Sequence, residues 1–132
     1  MSSWEIVKIG DVFQVTSGGT PSRSKLEYYI GGKIPWVKTG DLKGKYVNHP
    51  EEFITNEALK NSSAKMFPQN TLLLAMYGAT IGACSILPFE AATNQACGAL
   101  LPSKKCDANY IYYYLKSIKS ELIAKGVGGA HV

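Results

Sequence analysis

The apolar residues of this chain fall into short segments that glycine, proline and small polar residues keep interrupting. The longest, Thr71 to Leu87, is broken at four positions: Tyr77, Gly78, Thr80 and Gly82. No segment therefore approaches the roughly 18 continuous apolar residues of a membrane-spanning helix. Apolar residues still make up 45% of the 132 residues, enough to bury a proper core. These features predict a single globular domain over residues 1–132.

Strand-like and helical segments are mixed, without the regular alternation of a doubly wound sheet. Strands are predicted at four places: Ile34–Thr39, Thr71–Tyr77, Ala83–Leu87 and Thr93–Leu101. A short helix, Asn56–Lys60, is predicted after Thr55, whose hydroxyl can accept the first free N–H groups. The predicted fold class is α+β, a mostly antiparallel sheet with a few flanking helices.

The C-terminal part carries the clearest helical pattern. Four apolar residues recur with the period of a helix: Ile111, Leu115, Ile118 and Leu122. Asp107 is placed to cap the start of this helix, and Gly126 to end it.

The chain carries few of the residues that catalysis needs. Its only histidines are His49 and His131, and His131 lies in a glycine-rich tail. The nearest approach to a nuclease metal site, Glu57 with Lys60, is an ordinary helical i,i+3 pair. Neither glycine-rich stretch carries the lysine and hydroxyl of a phosphate loop. The sequence therefore predicts no catalytic residue, no metal site and no cofactor, and a binding protein rather than an enzyme.

Residues 1–5 lack the basic segment followed by an apolar one that marks a signal peptide. The three cysteines are an odd set without a C-x-x-C pair, which favours free thiols over disulfides or a zinc site. We therefore expect a cytoplasmic protein without a membrane partner.

Positive charge is concentrated in one window of the sequence. Arg23–Lys45 carries six basic residues against Glu27 and Asp41, for a net charge of +4, while the remainder is neutral. A local positive segment on a neutral body is expected of a surface that binds a polyanion. The alternative is a solvated, lysine-rich loop that binds nothing.

Hydrogen-bond donors and aromatic residues accompany this charge. The loop Ser17–Arg23 offers backbone N–H groups, three hydroxyls and the only arginine of the chain, whose guanidinium can hold phosphate or read guanine. The alternative is that its glycines serve tight turns and that nearby aromatic residues pack the fold. We expect Trp36 to lie in the core and Arg23 to contact DNA. The predicted DNA-binding residues are Ser17, Gly18, Gly19, Thr20, Ser22, Arg23, Lys25, Lys38, Thr39, Lys43, Lys45, Tyr46 and Tyr77.

Several motifs in order resemble one known family. They are W-E-I-V-K-I-G-D-V-F, S-G-G-T-P-S-R, E-Y-Y-I-G-G-K-I-P-W-V-K-T-G-D-L, F-I-T-N-E-A-L-K-N-S-S-A-K-M-F-P, L-L-L-A-M-Y-G-A-T-I-G, A-T-N-Q-A-C-G-A-L and G-V-G-G-A-H. Together they resemble a target-recognition domain of the specificity subunit of type I restriction-modification systems, from about Trp4 to His131.

The resemblance implies a DNA target-recognition domain that reads one half of a bipartite double-stranded DNA target. Methyltransferase (M) subunits, which bind S-adenosylmethionine, would be its partners, and through them a restriction (R) subunit that cleaves DNA. A full specificity subunit has two such domains, each followed by a long helix. Because the chain ends at Val132, we expect it to lack the spacer helix and the second recognition domain.

The resemblance and the charge pattern together suggest a mechanism. The loops Gly18–Arg23 and Lys38–Lys45 would hold phosphates, while a few side chains read base edges in the major groove. The candidates for base reading are Arg23, Lys25, Thr39, Tyr46 and Tyr77, whereas Asn94 and Gln95 are expected to hold the fold together. Two alternatives stay open: a module of a fused restriction-methylation enzyme, and a fragment that acts mainly by binding methyltransferase subunits.

Overall fold

A computed structural model describes residues 14–76 and 78–119, and within them eight short strands form two four-stranded sheets. The first sheet contains β1 (Val15–Ser17), β5 (Leu72–Ala75), β6 (Cys84–Ile86) and β8 (Cys97–Leu100), in the order β1-β8-β5-β6. The second contains β2 (Ile34–Val37), β3 (Glu52–Ile54), β4 (Met66–Phe67) and β7 (Ala91–Thr93), in the order β3-β2-β7-β4. Neighbouring strands are antiparallel, except that β2 and β7 are parallel.

Two α-helices flank the sheets in the described part, α1 (Asn56–Lys60) and α2 (Ala108–Ser117). Thr55 caps α1 by accepting the Ala58 N–H at 3.1 Å, and Asp107 caps α2 by accepting the Asn109 N–H at 3.1 Å. These caps and the α+β class confirm the sequence prediction. One-turn 3-10 helices occur at Leu26–Tyr28 and Thr39–Asp41. The predicted positions Leu122 and Gly126 lie outside the described residues.

The strand prediction differs from the structure where the chain passes from one sheet to the other. The predicted strand Thr93–Leu101 is divided into β7 and β8, which belong to different sheets. Between them, the Asn94 N–H donates to the Val37 carbonyl at 3.0 Å, and the Ala96 carbonyl accepts the Met76 N–H at 3.0 Å. Pairing with both sheets divides the segment, and no local pattern shows such pairing. Strands β3 and β4 were not predicted, because they are too short to show a period.

The core consists of three packed groups of apolar side chains. One joins the two sheets through Val37, Leu73 and Ala99, and a second packs α2 on the first sheet through Ile111 and Leu115. The third lies between the second sheet and α1, and contains the Trp36 side chain, which is 1% exposed. The expected core position of Trp36 is therefore confirmed. None of the helices in residues 14–76 and 78–119 has the length and apolarity needed to cross a membrane.

The turns at the ends of β1, β2, β5 and β7 meet at one edge of the sheets. The Gly19 N–H donates to the Thr93 carbonyl at 2.9 Å, which joins the turn after β1 to the end of β7. The backbone bonds of Asn94 and Ala96 described above join the turn after β7 to the ends of β2 and β5. We call this surface the loop edge; its described residues are 18–23, 38–41, 76, 78–82 and 94–96.

Candidate nucleic-acid interface

The glycines of the first loop are required by close packing. A Cβ atom added to Gly18 would lie 2.1 Å from the Thr93 carbonyl oxygen, and one added to Gly19 would lie 2.1 Å from Ser63 Oγ. No side chain tolerates such distances. The Gly19 N–H is also bonded to Thr93, so it is not available to a phosphate in this structure. These two residues therefore shape the loop edge.

The three hydroxyls of the same loop have different environments. Ser17 ends β1 and pairs with Gly98, whereas the exposed Ser22 lies 2.9 Å from the hydroxyl of Ser24. Thr20 donates to the side-chain oxygen of Gln95. This bond ties the turn after β1 to the turn after β7, and Ser22 is the most exposed of the three residues.

Arg23 is held at the loop edge by charge and by aromatic rings. Its Nη1 and Nη2 donate to the two carboxylate oxygens of Glu52 at 2.6 and 3.0 Å. Its Cζ atom lies 4.7 Å from the centre of the Tyr29 ring and 4.8 Å from that of Trp36, both within cation–π range. We call the group formed by Arg23, Tyr29, Trp36, Lys38 and Glu52 the Glu52 cluster.

Lys38 joins the cluster through the same carboxylate. Its Nζ lies 2.6 Å from Glu52 Oε2 and 3.6 Å from Glu51 Oε1. The hydrogen bonds from Arg23, assisted by those from Lys38, lower the pKa of Glu52 to about 2 against the opposing effect of burial. Hydrogen bonding to Glu52 raises the pKa of Lys38 and of Arg23 in turn. Two of the predicted DNA-binding cations are thus already paired with carboxylates.

The end of the basic window lies elsewhere, beside the first sheet and α2. The backbone of Lys45 accepts the Ile86 N–H at 2.7 Å, which aligns this segment with β6. The Lys45 Nζ lies 4.8 Å from the centre of the Tyr113 ring on α2 and 5.5 Å from that of Tyr46. Lys45 therefore lies against α2 rather than in the Glu52 cluster.

Lys43 and Lys25 are exposed, and each lies two residues after a segment of the loop edge. Lys43 follows the 3-10 helix Thr39–Asp41 and borders an open cavity of about 300 Å³, together with Asp41 and His49. The Lys25 Nζ lies 5.4 Å from the centre of the Tyr28 ring. No carboxylate in the described part of the chain forms an ion pair with Lys43 or Lys25. Both charges therefore remain available to an anion.

Two other predicted residues complete the set. Thr39 is half-buried and begins the 3-10 helix after β2, next to Lys38. Tyr77 lies outside the described residues, between Met76 and Gly78 of the loop edge. The structure thus brings Gly18–Arg23, Lys38 and Thr39 together and leaves Lys45 beside α2, while Tyr46 lines the same cavity as Asp41 and Lys43.

Sequence reasoning missed Glu52, which organises the cluster. Its signal was available: two adjacent carboxylates, Glu51 and Glu52, follow the end of the basic window by six and seven residues. Asn94 and Gln95 also lie at the loop edge. Gln95 is exposed and bonded to Thr20, and Asn94 has a buried Oδ1 without a hydrogen-bond partner in the described part.

The sequence matches known proteins across its length. The family model described as type I restriction modification DNA specificity domain matches residues 1–132. The chain is 34% identical to the type I restriction enzyme MjaIX specificity subunit of Methanocaldococcus jannaschii over 129 residues, 96% of this chain and 29% of that protein. It is 30% identical to the EcoR124I/EcoR124II specificity subunit of Escherichia coli over 127 residues, 92% of this chain and 31% of that protein. The chain thus spans less than a third of the length of these relatives.

Solved structures show the same fold. The structure of the HsdS subunit from Thermoanaerobacter tengcongensis superposes with a TM-score of 0.70 at 18% identity, over 88% of this chain and 28% of that one. An S subunit from M. genitalium superposes with a TM-score of 0.61 at 16% identity, over 89% of this chain and 27% of that one.

The family match agrees with the prediction of a specificity domain rather than an enzyme, and it confirms the resemblance drawn from the sequence motifs. This chain belongs to the family of type I restriction modification DNA specificity domains.

Proposed function

We propose that this chain is a single target-recognition domain that reads one half of a bipartite double-stranded DNA target for a type I restriction-modification complex. The observation that carries the proposal is the match of the family model over residues 1–132. The proposed partners are double-stranded DNA, methyltransferase subunits and, through them, a restriction subunit. Since DNA is the proposed partner, we also propose a cytoplasmic location.

We assign the DNA contacts to the loop edge and its exposed cations. Lys25, Lys43 and Ser22 are exposed, and Thr39 lies next to Lys38. These residues would contact phosphates. Gly18 and Gly19 would let the loop approach the sheets closely, and with Ser17 and Thr20 would hold its shape. Lys45 and Tyr46 would extend the surface toward α2, and Tyr77 remains a proposed base-reading residue.

A domain of this size is expected to bind DNA weakly on its own. Single recognition modules bury about 600–1,000 Å², and non-specific affinities lie near 10⁻⁴–10⁻⁶ M. Binding must therefore be measured at low salt, where phosphate contacts are strongest.

Lys43→Glu tests this assignment, with Lys33→Glu as the matched control. Both lysines are exposed and belong to the same basic window, but Lys33 precedes β2 and Lys43 follows it on the loop-edge side. The ends of this four-residue strand are roughly 10 Å apart, at about 3.3 Å per residue. Fluorescence anisotropy with a mixed-sequence duplex at 50 mM salt should show a severalfold loss of affinity for Lys43→Glu and little change for Lys33→Glu.

The salt dependence adds a second readout. Removing one phosphate contact should reduce the slope of log affinity against log salt by about 1. Equal effects of the two variants would argue against the loop edge as the DNA surface. An absence of DNA binding by the unaltered chain at 50 mM salt would contradict binding by this domain alone, and would favour a fragment that acts through methyltransferase subunits.

A further inference from the structure

Arg23 uses only part of its hydrogen-bonding capacity on Glu52. A guanidinium has five N–H donors, and the fork to Glu52 takes one from Nη1 and one from Nη2, at 2.6 and 3.0 Å. No other described residue accepts a hydrogen bond from Arg23. No described residue therefore occupies the side edge of the guanidinium, which is formed by Nε–H and an adjacent Nη–H.

Two neighbouring aromatic rings hold the guanidinium in place. Tyr29 and Trp36 contact it with their rings, and both rings are bonded to the loop that carries Arg23. The Tyr29 hydroxyl donates to the Pro21 carbonyl at 2.5 Å, and Trp36 Nε1 donates to the Gly19 carbonyl at 3.1 Å. Since Trp36 is 1% exposed, it cannot follow a moving arginine. The Arg23 side chain nevertheless remains 53% exposed, so it is held in place yet accessible.

Charge pairing changes what this arginine can bind. Glu51 and Glu52 balance Lys38 and Arg23, so the cluster offers a phosphate little net attraction. Two parallel donors in a fixed plane, by contrast, match O6 and N7 of guanine. An arginine without a carboxylate partner would be attracted to the DNA phosphates. An arginine paired with a carboxylate is attracted less, and its remaining donors are available to a base edge.

We propose that Glu52 is a positioning residue that holds Arg23 so that its side edge reads a guanine. The inference rests on the proposed function, since it takes the loop edge as the DNA surface. It assigns the only arginine of the chain to base reading and leaves phosphate contacts to the exposed lysines, such as Lys43 and Lys25.

Glu51 supplies a matched control. It is adjacent to Glu52 in sequence, its side chain is 66% exposed, and among the described residues its only ion pair is the one with Lys38, at 3.6 Å. Glu51→Gln and Glu52→Gln therefore remove the same charge at neighbouring positions, but only the second releases Arg23.

The experiment selects bound sequences from a pool of randomised duplexes with the full 132-residue chain at 50 mM salt, followed by sequencing. Anisotropy with a mixed-sequence duplex is measured alongside, and circular dichroism verifies folding. The unaltered chain and Glu51→Gln should enrich a guanine at one position. Glu52→Gln should lose that enrichment about tenfold, while its affinity for the mixed-sequence duplex stays equal or rises. Arg23→Lys, which keeps the charge but lacks the planar fork, should lose the same guanine.

Several outcomes would overturn the proposal. If Glu52→Gln keeps the enrichment, or if Glu51→Gln loses as much, the carboxylate does not act by positioning Arg23. DNA binding by the unaltered chain without a guanine that depends on Arg23 refutes the positioning role and leaves the proposed function intact. An absence of binding to either DNA probe refutes both.

Discussion

At the scale of single residues, Gly18 and Gly19 owe their identity to what lies opposite them rather than to the turn they form. Neither adopts a positive φ, yet an added Cβ would meet Thr93 or Ser63 at 2.1 Å. The sequence places both glycines in a loop, and the reason for them is the approach of β7 and of the segment before β4. A motif that resembles a ligand-binding loop can therefore be a packing motif.

We expect Gly18→Ala to lower the free energy of unfolding by about 1–3 kcal/mol, because backbone atoms must shift to admit the methyl group. Gly40→Ala is the control, since nothing lies within 4 Å of its added Cβ. Urea unfolding followed by circular dichroism measures both. Equal stability of the two variants would show that the contact with Thr93 relaxes without cost.

The ion pairs of Glu52 predict a pH-dependent contribution to stability. Its folded-state pKa of about 2 lies below the ordinary value of 4.5, so the contribution is present above pH 4.5 and is lost as the pH falls toward 2. The stability difference between the unaltered chain and Glu52→Gln should therefore be smaller at pH 3 than at pH 6. Urea titrations at both values measure it, and a difference independent of pH would contradict the pairing.

At the scale of elements, local signals were sufficient where an element is defined by its own residues. α1 and α2 begin after the residues that were predicted to cap them, because an N-cap acts on N–H groups two or three positions away. β2, β5 and β6 were also found, though each is shorter than predicted. The division of Thr93–Leu101 was missed, because it depends on partners in two sheets.

Asp107→Ala should lower the free energy of unfolding by about 0.5–2 kcal/mol, because it leaves the Asn109 N–H at the start of α2 without an acceptor. Asp107→Asn keeps a side-chain oxygen there and should retain most of the stability. Thermal and urea unfolding give the comparison. If the asparagine and alanine variants lose the same free energy of unfolding, the side-chain oxygen does not cap α2.

At the scale of the whole molecule, folding redistributes the charge that the sequence concentrates. Arg23 and Lys38 become paired with Glu51 and Glu52, which lie outside the basic window. Lys45 turns toward α2, and Lys25 and Lys43 stay exposed. The surface that remains for phosphates is thus smaller than the net charge of the window suggests.

This arrangement predicts a shallow salt dependence of DNA binding. About two phosphate contacts, at a slope of about −0.9 each, correspond to roughly a tenfold loss of affinity between 50 and 200 mM salt. Engagement of all four excess charges in the window would give roughly a hundredfold loss. Anisotropy over this range distinguishes the two, and the steeper dependence would mean that Glu52 releases its cations when DNA binds.

The sequence by itself determined the α+β class, the two capped helices, the central strands and, through its ordered motifs, the family. These depend on caps, periods and motifs that are read along the chain. Only the tertiary structure decided which charges meet. Arg23 and Glu52 are 29 positions apart, and they come together because β3 pairs with β2 beneath the first loop. Pairing between distant strands depends on packing of the whole core, so no local pattern could assign Arg23 its partner.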